Sequence, residues 1–158
     1  MTEENKLITE RKKKFEEIKK KYRAYPNTFS KLDDSYNLIS NHAGSDKDDL
    51  ENKAIDVTIS GRLLTIRNMG NSSFANLHDE TGNIQIYLQK KQVGDEAYWL
   101  FNNLDLGDIV GIKGTLFKTK TGELTINTQT IQLLSKSLRP LPEKFHGISD
   151  IEIKYRQR

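Results

Sequence analysis

From Ile55 onward, apolar and polar residues alternate with the period of strands that bury one face. Ile55, Val57 and Ile59 take turns with Asp56, Thr58 and Ser60, and the run continues through Gly61 to Ile66. A glycine inside such a run predicts a bulge or sharp bend, which a long first strand needs to serve two sides of a small barrel. Met69-Gly70-Asn71 reads as a turn, residues 72–78 as a second strand, and Asp79 to Asn83 as another turn. Ile84 to Gln89 alternates cleanly as a third strand. The rhythm breaks over residues 93–104, where Ala97, Leu100, Phe101 and Leu104 repeat at helical spacing until Asp105-Leu106-Gly107-Asp108 ends the element. A fourth strand over 109–117, a hairpin tip at 118–122 and a fifth strand from Glu123 to about Leu134 complete the pattern.

Upstream, the period is 3.6. Ile8, Phe15, Ile18, Tyr22 and Tyr25 form one apolar stripe, predicting a helix over about residues 7–24 that stops before Pro26. Lys12, Lys13, Lys14, Lys19, Lys20 and Lys21 occupy its other faces. Residues 27–54 are mixed: 41–49 has loop composition, with a turn or short helix around Leu50-Glu51-Asn52.

Five strands, a long bent first one and a helix between the third and fourth point to a mainly β fold, a five-stranded OB-fold Greek-key barrel preceded by an amphipathic basic helix. Another small β-barrel or sandwich with an inserted helix is the alternative. The expected organisation is a helix and connecting segment over 1–54, the barrel over 55–136, and a linker over 137–158.

Composition narrows the function classes. Hydrophobic residues make up 35% of the 158, charged residues 30%, and mean hydropathy is −0.70, so part of the chain is expected outside the main core. No apolar run approaches the roughly 18 residues of a membrane span, and the charged N-terminus lacks a secretory pattern. With no cysteine, disulfides, thiolate metal sites and thiol nucleophiles drop out, and the three histidines (42, 78 and 146) lie far apart. A cytoplasmic protein with no bound metal or cofactor in this chain is the expectation. Net charge is +3, but residues 1–24 carry nine Lys or Arg against five Glu, so the helix is +4 and the remainder −1. Its lysines are either a solvated face or contacts to phosphates.

Alternation also names the outward side chains. Phe74 and Asn76 leave the second strand, Gln85, Tyr87 and Gln89 the third, and Glu123, Thr125 and Asn127 the fifth, with Arg62 and Arg67 flanking the end of the first. An exposed ring stacks on an unstacked base, an amide reads a Watson–Crick edge, and a guanidinium pairs with phosphate or a base oxygen. Alternatively, Phe74 packs under the N-terminal helix or a loop. Walker, dinucleotide and serine-elbow motifs are missing. Asp79 and Glu80 point opposite ways as strand neighbours, and Asp105 and Asp108 suit turn chemistry better than catalysis. The composition is that of a binding module.

Longer stretches carry a resemblance. Arg62 to Phe74, Gly82 to Tyr87, Leu106 to Gly111, Gly114 to Leu124 and Leu138 to Gly147 resemble class II lysyl-tRNA synthetases, as do Arg11 to Lys14 and Tyr25 to Phe29. The tail Asp150 to Arg158 is similar to that family's entry into its catalytic domain. The resemblance implies an anticodon-binding domain for tRNA-Lys in which Phe74 stacks on the central anticodon base, Gln85 and Arg67 read that uridine, and Glu123 contacts a neighbouring base. Asn127 departs from the histidine often found there. It also implies a full-length enzyme, a homodimer, that attaches lysine to tRNA-Lys with ATP and magnesium. The ATP, lysine and magnesium motifs would lie past Arg158, so these 158 residues alone are expected to form no lysyl-adenylate. A stand-alone OB-fold protein for single-stranded nucleic acid is the alternative.

Overall fold

The computed structural model describes residues 2–22 and 28–141, and the expected helix end at 23–25 and the tail motifs beyond 141 lie outside them. Helix α1 (Glu3–Lys21) begins earlier than the stripe predicts, because Thr2 caps it by accepting a hydrogen bond from the Asn5 amide. Glu3 and Glu4 in its first turn and Lys19, Lys20 and Lys21 in its last match the helix dipole. Phe15 and Ile18 are buried, as the stripe requires.

Two short helices follow: α2 (Ser35–His42), and α3 (Lys47–Lys53), which falls where the short helix around Leu50 is expected. The expectation of little other regular structure here is too low. α2 buries Leu38 and Ser35, too few positions to print a period; Asp34 caps it locally by accepting from the Asn37 amide at 2.8 Å, and a residue far along the chain grips its first position. Asp79 accepts hydrogen bonds from the Ser35 amide and hydroxyl at 2.7 Å each, and from the Thr81 amide and hydroxyl at 2.9 and 2.8 Å. Burial alone would raise the pKa of Asp79, but these bonds outweigh it and hold the carboxyl at about 2. Glu80, next to it, faces outward and pairs with Lys31.

The strands are β1 (Asp56–Asn68), β2 (Ser72–His78), β3 (Asn83–Gln89), β4 (Ile109–Lys118) and β5 (Leu124–Ser135). They close into a barrel in the order β1-β2-β3-β5-β4, antiparallel throughout except for β3 with β5. The bulge of β1 falls between Leu63 and Thr65 rather than at Gly61. Gly61 serves a close crossing instead: a Cβ there would stand 2.6 Å from the His78 carbonyl oxygen. Leu63, Leu77, Ile86, Leu88, Val110, Ile112 and Ile126 fill the interior. Between β3 and β4 lie α4 (Lys90–Val93) and α5 (Asp95–Asn102), the latter burying Tyr98, Leu100 and Phe101.

The turn before β4 does more than reverse the chain. The Asp105 amide donates to Asp108 Oδ2 at 2.8 Å, as a turn carboxylate should allow. The same two carboxylates also clamp the fully buried ammonium of Lys136, 2.6 Å from Asp105 Oδ2 and 2.6 Å from Asp108 Oδ2. Burial works to raise the pKa of Asp105, but Lys136 and Lys14 overcome it and hold the carboxyl below its ordinary range. α1 joins this cluster from outside. Lys14 reaches Asp105 Oδ1 at 2.8 Å, and Arg11 donates to the carbonyls of Leu106, Ser137 and Arg139 at 3.0–3.2 Å. No described helix is long and apolar enough to cross a membrane.

Candidate nucleic-acid interface

The barrel register puts the outward side chains into rows. Arg67 on β1 lies opposite Phe74 on β2, and Phe74 lies opposite Tyr87 on β3. Two residues along, Asn76 faces Gln85, and Gln85 faces Thr125 on β5. Strand pleating thus delivers a ring, an amide and a guanidinium to one wall from three different strands.

The Phe74 and Tyr87 rings are 4.8 Å apart and tilted by 40°; Phe117, at the end of β4, meets Tyr87 edge-on at 6.0 Å and 63°. Each of the three rings is half-buried. They floor an open concavity of about 610 Å³, which Arg67, Gln85 and Glu123 also line. Its far wall combines the β4–β5 hairpin with Lys47 and Glu51 of α3. Lys118 Nζ, at the base of the hairpin, donates at 2.7 Å to the carbonyl of Ala43, the residue that ends α2. The hairpin is also braced internally, since the Glu123 and Thr119 backbones pair and the Thr119 and Thr121 hydroxyls meet at 3.0 Å.

Arg67, Phe74, Gln85 and Glu123 are therefore brought together, and Phe74 sits in the concavity rather than under α1. Arg67 and Glu123 are exposed. Lys12, Lys13 and Lys14 are not part of this cluster. Lys12 and Lys13 are exposed on α1, Lys14 is drawn to Asp105, and the helix lies against the distal half of β5. Thr125 is on the outward face as alternation predicts, yet fully buried, covered by its neighbours and bonded to Gln85 Oε1 at 2.9 Å. Asn127 Oδ1 is buried without a hydrogen-bond partner.

The sequence reading passes over Phe117, Lys47 and Glu51. Phe117 ends a strand whose outward residues alternation could have named, since it shares parity with Thr115 and Lys113. The two α3 residues carry no such signal, because only tertiary folding brings that helix beside the hairpin.

Residues 57–134, the whole barrel from the second residue of β1 almost to the end of β5, match the family model described as OB-fold nucleic acid binding domain. Over that span the barrel is an OB-fold similar to that family. Beyond the OB domain itself, 156 residues are 47% identical to the lysine–tRNA ligase of Chromobacterium violaceum and 47% to that of Dechloromonas aromatica. The lysine–tRNA ligase of Thiobacillus denitrificans is 48% identical over 156 residues. Each match takes in 99% of this chain and 31% of the relative, so the chain spans under a third of the length of these ligases. It corresponds to their N-terminal anticodon-binding domain. The OB assignment covers the two α3-independent walls of the concavity, β1–β3 and the β4–β5 hairpin; α3 lies outside the matched residues.

Proposed function

We propose that this OB barrel binds the uridine-rich anticodon of tRNA-Lys, as the anticodon-recognition part of a lysine–tRNA ligase. Phe74 stacks on the central base, Gln85 and Arg67 select its uracil edge, and Glu123 contacts a neighbouring base. Lys12 and Lys13, exposed on α1, hold the RNA backbone electrostatically, while Lys14 is engaged with Asp105. The observation that carries the reading is the convergence of Phe74, Gln85 and Arg67 on one concavity. Stacking supplies about 1–3 kcal/mol per base without choosing among bases, so selection falls to the polar pair. Both supply N–H donors, which suit the two carbonyl oxygens of uracil.

The parent protein would attach lysine to tRNA-Lys with ATP and magnesium, which a catalytic domain outside these residues would hold. It would act in the cytoplasm, as a homodimer. The residues described here bind and orient RNA and carry out no step of that chemistry.

A second reading has its own support. Three rings in sequence, Phe74, Tyr87 and Phe117, make a platform that any single strand could use, since every base has a π-face. Titrating the protein with a uridine-rich anticodon stem-loop and with a scrambled-loop control separates the two. Preference for the uridine loop supports anticodon recognition; equal binding leaves a sequence-indifferent OB module.

A further inference from the structure

A glutamine amide is ambiguous as a base reader. Turned over, it exchanges its carbonyl for its NH2, and then accepts from the amino group of cytosine as readily as it had donated to the carbonyl of uracil. A site that depends on Gln85 to choose between these two pyrimidines needs something to stop that rotation.

Thr125 is placed to do so. The parallel pairing of β3 with β5 sets it opposite Gln85, and its hydroxyl donates to Gln85 Oε1 at 2.9 Å. Thr125 has no exposed surface, so solvent does not compete for that proton. The same hydroxyl oxygen lies 3.2 Å from the Glu123 carbonyl, a longer contact, and a hydroxyl has one proton to give. Among the described residues this is the one hydrogen bond that the Gln85 side chain makes. With Oε1 held against the wall, the NH2 group is the part of the amide left to meet a ligand in the concavity that Gln85 lines.

We infer that Thr125 is a positioning residue for base selection, its buried hydroxyl locking the Gln85 amide so that only N–H donors face the bound base. Cytosine, which presents an amino donor where uracil presents a carbonyl, then meets donor against donor. Reversing the amide to relieve that clash would bring its NH2 onto the Thr125 hydroxyl and force the hydroxyl to the longer Glu123 bond. This inference rests on the anticodon-binding reading above, and its test is arranged so that the two fail differently.

The measurement is the affinity ratio between two stem-loops that differ only in uridine or cytidine at the central loop position, at one fixed salt concentration. The unaltered protein is expected to favour uridine by about tenfold, within the span of a good base-edge contact. In Thr125→Val, which keeps the side-chain shape and removes the hydroxyl, the ratio is expected to fall to about twofold, chiefly through tighter binding of the cytidine loop. Thr125→Ser, which keeps the hydroxyl, is expected to restore it. A general loss of packing would weaken both loops alike and leave the ratio standing, so the ratio reports orientation and not stability. Thr125→Ala gives the same readout should the valine variant fail to fold. An unaltered protein without preference for uridine overturns the reading of the whole site. A preference that survives in Thr125→Val or Thr125→Ala overturns the role of Thr125 alone.

Discussion

The ring of Phe74 lies 4.8 Å from that of Tyr87, its direct cross-strand partner, and both half-buried rings line the concavity. Phe74 therefore contributes to the barrel's outer wall and little to its interior, which Ala75 and Leu77 on the opposite face of β2 fill. Phe74→Ala is expected to weaken anticodon stem-loop binding by about 1–3 kcal/mol. Its melting temperature should fall by no more than about 5 °C. A large drop in melting temperature with unchanged RNA affinity would make the ring a packing residue.

The three lysines of α1 should separate. Lys12 and Lys13 are exposed, whereas Lys14 is paired with Asp105 at 2.8 Å. Lys12→Gln and Lys13→Gln are each expected to flatten the plot of log affinity against log salt by roughly 0.7, one phosphate contact on a single strand. Lys14→Gln is expected to cost up to about 1 kcal/mol of stability, the range of a partly exposed pair. Slopes that do not change with either of the first two would leave the helix as scaffold.

Asp79 makes folding stability depend on acid. Its carboxyl is held at about 2 against an ordinary 3.8, so the ionised form favours the folded state. The contribution, about 2 kcal/mol, is fully present above pH 5 and is lost as the pH falls through 4 towards 2. Denaturant titrations of the unaltered protein and Asp79→Asn should therefore differ at pH 7 and converge near pH 2. A constant difference across that range would contradict this role for the carboxylate.

Lys136 carries a larger consequence. Its ammonium has no exposed surface and two carboxylates at 2.6 Å. Lys136→Met leaves both acids buried beside each other without their cation, and is expected to cost about 3–5 kcal/mol in urea unfolding. Combining it with Asp108→Asn should recover part of that loss, because the repulsion between the acids is relieved. A neutral effect of Lys136→Met would show that the cluster contributes nothing to the fold.

The barrel was legible because its information is local. Period-two runs named β2 to the residue and β1, β3, β4 and β5 to within one or two, and the inward and outward sides of β2 and β3 followed from parity. Phe74, Gln85 and Arg67 could be singled out for the same reason. What stayed hidden depends on residues distant in sequence. Asp79 grips the first residue of α2 from more than forty positions away, and Lys136 turns a plausible pair of turn aspartates into a buried ion cluster. The end of α2 is held to the hairpin by a bond between Lys118 and Ala43, which lie far apart in sequence. Thr125 shows the limit of parity: the alternation gave its face correctly, but only the packing of Gln85 over it reveals that it is covered.

The most direct test of the account pairs Phe74 with a single nucleotide. Affinities are measured for the unaltered protein and Phe74→Ala, each with an intact uridine-rich anticodon stem-loop and with the same loop made abasic at its central position. Removing the ring and removing the base should each weaken binding by about 1–3 kcal/mol, and removing both should cost little more than removing either. Fully additive losses would mean that the ring and that base never meet.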